Sequence, residues 1–366
     1  DDGLVHLTRD GGENWTNVTP KGLRECLVNA IDISPHDPGT AYIATTRYKF
    51  NDYTPGLYKT TDYGKTWTNI SSGIPYGAFT RVVREDAVRK GLLYAGTEQG
   101  IYVSWNGGAK WAPLQRNLPV TPITDLKVHK GDLIVATSGR SFWVLDDIAA
   151  LQQYNPQSKG LRILTPEPAL NASWGSPLSG NSTNQKGTHP FKGLNPANGM
   201  VIYYQLPALT DSTEITLKIL DSNGSEVRTL SSEKDKDYVK HNGGGPPPAP
   251  VLSKKEGLNR FVWDMGYPLL PGIPGVYIEA GFRGHKAIPG TYTLLLSMGD
   301  QRSETTAIIQ ETPGFNIPAS RYDTYDKFMK EIEENLTDMH TKVNMLFKAQ
   351  NQIKSIVSEL EDPALK

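Results

Sequence analysis

Thr60-Thr61-Asp62-Tyr63-Gly64-Lys65-Thr66-Trp67 decides the fold, because the same eight-residue pattern occurs three times. Upstream it reads Thr8-Arg9-Asp10-Gly11-Gly12-Glu13-Asn14-Trp15, and downstream, with Asn in place of Asp, Ser104-Trp105-Asn106-Gly107-Gly108-Ala109-Lys110-Trp111. The copies start 52 and 44 residues apart. An Asp or Asn followed by glycine hydrogen-bonds its own backbone through a tight turn, and the Trp that closes each copy suits packing between neighbouring units. Asp10, Asp62 and Asn106 are therefore read as structural turn residues, with Trp15, Trp67 and Trp111 as their packing partners.

Working outward, each interval repeats one order of apolar runs. A first strand (28–33, 80–83, 123–128) is followed by a second (41–45, 92–95, 133–136) and a third (56–59, 100–103, 141–145). The box comes next and then a short fourth strand. Four strands per interval is the pattern of a β-propeller blade. Residues 1–150 supply about three blades, whereas propellers close with roughly four to eight. The expectation is a set of C-terminal blades whose companions lie upstream or in another chain.

The rest of the chain changes character twice. Residues 151–198 are low in apolar content and read as a linker lying over its neighbours. From 199 to 312 strand patterns return at 200–206, 214–220, 226–230, 260–264 and 290–296, with Asp221-Ser222-Asn223-Gly224 as a hairpin turn. That spacing predicts an immunoglobulin-like β-sandwich, interrupted by insertions at 241–250 and 267–285. Residues 320–362 then place Tyr325, Met329, Ile332, Leu336, Met339, Val343, Leu346, Ile353, Val357 and Leu360 at alternating steps of three and four, broken only at polar Gln350. This is a heptad helix or the first arm of a helical hairpin, whose apolar stripe over 325–360 calls for a helix partner.

Composition agrees with a mainly β protein. In 366 residues there are 35 Gly and 26 Pro, a supply of turn formers suited to many short strands. Lys and Arg number 38 against 39 Asp and Glu, a net charge of -1 that argues against nucleic acid as a partner. One cysteine, Cys26, excludes an internal disulfide and a cysteine zinc cluster. No apolar run is long enough to span a bilayer, and the first residues lack a signal-peptide pattern.

The box resembles the Asp-box of bacterial-neuraminidase-type repeats. Three further runs extend the likeness: Gly96-Thr97-Glu98-Gln99-Gly100-Ile101-Tyr102-Val103-Ser104, 117–126 (from Asn117-Leu118-Pro119) and 136–147 (through Ser141-Phe142-Trp143-Val144-Leu145-Asp146-Asp147). With Pro289-Gly290-Thr291-Tyr292-Thr293, they resemble the C-terminal half of large bacterial BNR/VPS10 (sortilin-like) repeat proteins, a group often labelled glycosyl hydrolase. The resemblance implies a long extracellular, periplasmic or outer-membrane-associated protein with a hook-cap-like immunoglobulin module. The hydrolase label rests on the repeat, and a repeat that builds blades does not specify chemistry.

Few residue patterns point to chemistry. No nucleophile elbow, phosphate loop, dinucleotide fingerprint or zinc-binding His pair is present, so neither a cofactor nor a metal is expected. The histidines are scattered, and Asp146-Asp147 reads as a turn closing a blade.

If the boxes mark one face of the propeller, the loops at 46–55, 71–79, 97–100, 112–122 and 138–141 lie on the opposite, ligand-binding face. They carry Arg47, Tyr48, Tyr53, Tyr76, Arg116, Asn117 and Arg140 as candidate ligand-binding residues. A glycosidase needs two carboxylates about 5 to 9 Å apart, and Asp52 with Glu98 is the pair to nominate. Sialidase chemistry would need an arginine triad distributed around a whole propeller. Two functions follow: a scaffold binding a carbohydrate or protein ligand without catalysis, or a glycoside hydrolase whose site is completed by upstream blades.

Overall fold

The computed structural model describes residues 2–172, 197–210, 212–240, 245–276 and 281–359. Half of the expected linker (173–196), parts of both sandwich insertions (241–244 and 277–280) and Leu360 of the heptad stripe lie outside the described residues. The chain divides into two compact units, Asp1–Asn155 and Pro156–Lys366.

The first unit is a run of antiparallel meanders. Strands β1 (His6–Leu7) and β2 (Thr16–Asn17) form a two-stranded sheet. A four-stranded sheet follows, β3 (Leu27–Ile33), β4 (Ala41–Arg47), β5 (Asp52–Thr60) and β6 (Thr68–Asn69), paired in chain order. The next repeats it with β7 (Thr80–Glu85), β8 (Leu93–Thr97), β9 (Gly100–Ser104) and β10 (Ala112–Pro113). The last has three strands, β11 (Ile123–His129), β12 (Asp132–Thr137) and β13 (Phe142–Leu145), and leads into the short helix α1 (Ala149–Gln153). Strand β7 lies against β3 and β4, and β11 lies against β7 and β8.

This stacking explains why β8 is buried along its whole length, with no polar alternation. Leu93 and Ala95 face one core with Tyr42, Leu57, Val83 and Trp111. Leu92 and Tyr94 face the other, with Val82, Leu126 and Leu133. A sheet covered on both faces needs apolar residues at odd and even positions alike. Strands at the two ends of the stack are covered on one side only, and there Ile31, Ile33, Phe142 and Val144 are exposed.

The three boxes form the connections between β1 and β2, β5 and β6, and β9 and β10, and they are built alike. The hydroxyl of Thr8, Thr60 or Ser104 accepts the amide of Gly12, Gly64 or Gly108. The side-chain oxygen of Asp10, Asp62 or Asn106 accepts the amide of Asn14, Thr66 or Lys110 at 2.9–3.0 Å. The Asn14 amide and side chain pull the Asp10 carboxyl well below its usual range, and the Thr66 hydroxyl and amide lower Asp62 to about 2. Trp67 and Trp111 then reach the preceding sheet, their indole N–H groups donating to the carbonyls of Val18 and Ile70. Trp15 folds back on its own turn and donates to the Gly12 carbonyl. The box glycine is dictated by the same contact, since a Cβ on Gly64 or Gly108 would stand 2.6 Å from Val18 or Ile70.

The second unit has two sheets around one core. Strand β14 (Arg162–Ile163) pairs with β16 (Met200–Leu206), and β16 pairs with β19 (Gly257–Trp263). The other sheet runs β15 (Ala169–Leu170), β21 (Gln301–Gln310), β20 (Gly290–Met298), β17 (Ile215–Leu220) and β18 (Glu226–Ser231), antiparallel except between β15 and β21. Ile202, Tyr204 and Trp263 from one sheet meet Leu217, Ile219, Leu294 and Leu296 from the other. The segment read as linker thus contributes two short strands, one to each sheet, and β21 is an additional strand beyond the predicted five. The Asp221 turn closes the β17–β18 hairpin, its carboxylate accepting the amides of Asn223 and Ser225.

Helix α2 (Ala319–Glu359) is a single helix as its period predicts, and the part of the stripe formed by Met329, Ile332 and Leu336 is partly buried. His285 is wholly buried between two of its carboxylates, Nε2 at 3.1 Å from Asp326 and Nδ1 at 2.9 Å from Glu333. The imidazole stacks on Tyr267 at 4.1 Å. Further along, His340 meets the Pro271 carbonyl and Asn344 donates to the Gly272 carbonyl. Polar contacts thus join partly buried Met329, Ile332 and Leu336 on the docked side, whereas Met339, Val343, Leu346 and Ile353 of the heptad stripe are exposed.

Candidate ligand-binding face

In an antiparallel meander the β3–β4 and β5–β6 connections fall at one end of the sheet, and the β4–β5 and β6–β7 connections at the other. The boxes occupy the first end. At the opposite end, a 3-10 turn, Tyr48–Phe50, carries the chain from β4 into β5, and Asn51 closes it in the left-handed region at φ 57°. Asn tolerates that conformation better than most residues. Both strands reach further into this loop than the sequence indicates, to Arg47 and from Asp52, so the predicted 46–55 loop contracts to four residues.

That contraction fixes the acids. Arg47 and Asp52 become cross-strand neighbours and pair at 3.0 Å, and Arg47 also donates to the Glu25 carbonyl. The Thr54 hydroxyl and amide, then Arg47, hold the Asp52 carboxyl below its usual range. Glu98 pairs with Arg81 at 2.6 Å. Each nominated carboxylate is therefore bound to its own arginine.

The tyrosines gather. Tyr48 from the β4–β5 turn stacks on Phe79 with centroids 5.5 Å apart and planes 20° apart. Tyr53, from the start of β5, packs tilted on the same ring at 6.0 Å and meets Tyr76 edge to face at 6.2 Å. Tyr76 comes from the β6–β7 connection, which the Gly77 amide anchors to the Tyr53 carbonyl. Phe79 is 6% exposed and forms the base, whereas Tyr48, Tyr53 and Tyr76 are 39%, 36% and 68% exposed. Arg81 lies over Phe79 at 5.3 Å and Arg47 over Phe50 at 5.1 Å, so cations frame the aromatic rings.

Arg116, Asn117 and Arg140 are exposed on other connections: the first two between β10 and β11, the third between β12 and β13. Phe50, Phe79 and Arg81 complete the cluster and were not among the sequence candidates. Phe79 carried a usable signal, an aromatic directly after the Gly77 turn and before β7. Asp147 sits in the turn after β13, where its amide donates to Asp132. Among the described residues, no group of three or more His, Cys, Asp or Glu side chains is placed to hold a metal ion, and no helix is long and apolar enough to cross a membrane.

No protein-family model matches the chain, and no curated protein matches it. Among solved structures, it is similar to YCF48 from Cyanidioschyzon merolae, with 16% identity, coverage of 63% of this chain and 66% of that one, and a TM-score of 0.29. It is also similar to YCF48 bound to a D1 peptide, with 19% identity, 43% and 46% coverage and a TM-score of 0.31. A third similar structure is the GH74 enzyme of Niastella koreensis, with 17% identity, 39% and 24% coverage and a TM-score of 0.28. The chain spans less than half the length of the last two. TM-scores this low establish neither a shared site nor a shared partner.

Proposed function

We propose that this chain is a binding or assembly scaffold of the cell exterior or envelope, in which Asp-box propeller blades present an aromatic platform to a carbohydrate or protein ligand. One observation carries the reading: three partly exposed tyrosines converge on a buried Phe79. Flat, rigid aromatic faces with few rotamers bind the apolar face of a sugar ring or an apolar side chain at small entropic cost. The exposed apolar faces of β3 and β13 support further blades on either side, from this protein or another chain. The two-sheet unit serves as an immunoglobulin-like module that orients the blades, and the exposed stripe of α2 offers a helix-partner surface.

The hydrolase alternative assigns the nominated acids different roles: Asp52, held below its usual range, would be the ionised nucleophile or base, and the Arg47 and Arg81 ion pairs would have to release both carboxylates to substrate. The test incubates the protein, with any further blades it naturally carries, with a polysaccharide and protein panel and follows retention and reducing ends together. Retention on one ligand with no new reducing ends is the expected result. Defined oligosaccharide release, lost in Asp52→Asn or Glu98→Gln, would replace the scaffold with a glycoside hydrolase.

A further inference from the structure

The repeat places the same intersheet gap on the box side twice, and the two gaps differ. Between the first and second boxes, the Arg9 guanidinium lies 4.1 Å from the centroid of Tyr63 and closes the gap. Between the second and third boxes, Thr61 stands at the position of Arg9, Gly107 at that of Tyr63, and Lys59 at that of Leu7. Three substitutions thus open the gap and put a cation in it. The result is a cavity of about 370 Å³ lined by Lys59, Thr61, Thr68, Asn69, Ser72 and Gly107 among others.

Lys59 is available there. Its Nζ lies 5.7 Å from the centroid of the Tyr42 ring, and so close to Gly107 that a Cβ on that glycine would stand 3.3 Å away. Among the described residues it enters no ion pair. No carboxylate lines the cavity. Asp62, next to Thr61, is engaged by Thr60 and Thr66. Asp37, which feels the charge of Lys59, is engaged by the Gly39 amide and the Thr40 hydroxyl.

We propose that this gap is a second binding site, for a hexose-sized ligand bearing one oxyanion, a carboxylate or a sulfate ester. Lys59 would meet the anion as a point charge, and the Thr61, Thr68 and Ser72 hydroxyls with the Asn69 amide would exchange hydrogen bonds with ligand hydroxyls. The site lies at the opposite sheet end from the tyrosines and does not depend on them.

The test is calorimetric titration of the full chain with glucuronate, glucose 6-sulfate, glucose and inorganic sulfate at low salt. At least one of the two sugar anions should bind saturably and at least tenfold more tightly than glucose, with sulfate competing. Lys59→Met, which keeps the length of the side chain, should weaken that binding at least tenfold. Gly107→Tyr should abolish it by restoring the plug, since Tyr63 already occupies the equivalent backbone position at φ 62° against 68° for Gly107. Circular dichroism would confirm that each variant folds. Failure of both sugar anions to bind, glucose binding equal to theirs, or binding unchanged in folded Lys59→Met would overturn the proposal.

Discussion

Asn106 does in the third box what Asp10 and Asp62 do in the first two, accepting the same hydroxyl and amide. An acceptor at that position is what the turn requires, and a negative charge is dispensable. Asp62→Asn should keep the turn, whereas Asp62→Ala should free the Thr66 amide and lower the melting temperature. Because the Thr66 hydroxyl and amide depress the Asp62 carboxyl to about 2, its contribution is complete above the usual carboxylate range and is lost as pH falls through about 2. The Thr66 amide resonance should follow that midpoint in the native chain and not move in Asp62→Asn; a midpoint near 4 would contradict the assignment. The tryptophans sort by partner in the same way. Trp111→Phe strands the buried Ile70 carbonyl and leaves a void, costing about 2 kcal/mol in chemical denaturation. Trp15→Phe, at an exposed ring bonded within its own turn, should change stability by less than about 0.5 kcal/mol.

Helix α2 shows how an element can be legible while its environment is not. Apolar period alone locates the helix, yet it does not show the polar contacts that help dock it, Asp326 and Glu333 with His285 far away in sequence. Nothing in heptad spacing reports that a histidine about 40 residues upstream fits between two carboxylates. Strand β21 escapes detection for a related reason: Gln301-Arg302-Ser303-Glu304-Thr305-Thr306 is polar, and burial begins only at Ala307 and Ile309. His285→Leu would leave Asp326 and Glu333 with an apolar neighbour and should cost about 3 kcal/mol, with faster hydrogen exchange over the first half of α2. Leu346→Glu, on the exposed stripe, should leave the isolated chain within about 0.5 kcal/mol of its native stability. Burial opposes ionisation of Asp326, but Lys330 and His285 hold its carboxyl below the usual range. Docking should therefore be strongest above the ordinary carboxylate range and weaken as pH falls through that lowered value.

For the whole molecule, the boxes and their spacing made the meander order readable, because each strand is named by its distance from a Trp. The platform was readable only as a set of candidates. Tyr48, Tyr53 and Tyr76 come from the β4–β5 turn, the start of β5 and the β6–β7 connection, and their convergence depends on Phe79, on the Gly77 anchor and on a loop shortened by the Arg47–Asp52 pair. Each nominated acid is held by a different arginine, Asp52 by Arg47 and Glu98 by Arg81. On the proposed function, this end of the sheets binds and does not cut. The most direct measurement is the dissociation constant for the retained panel ligand, compared among the native chain, Tyr48→Ala/Tyr53→Ala and Asp52→Asn/Glu98→Gln, with turnover recorded alongside. The tyrosine pair should weaken binding about tenfold or more, roughly 1.4 kcal/mol, while the acid pair stays within about threefold and no product forms. Unchanged binding in the tyrosine variant, or turnover that disappears with the acids, would contradict the account.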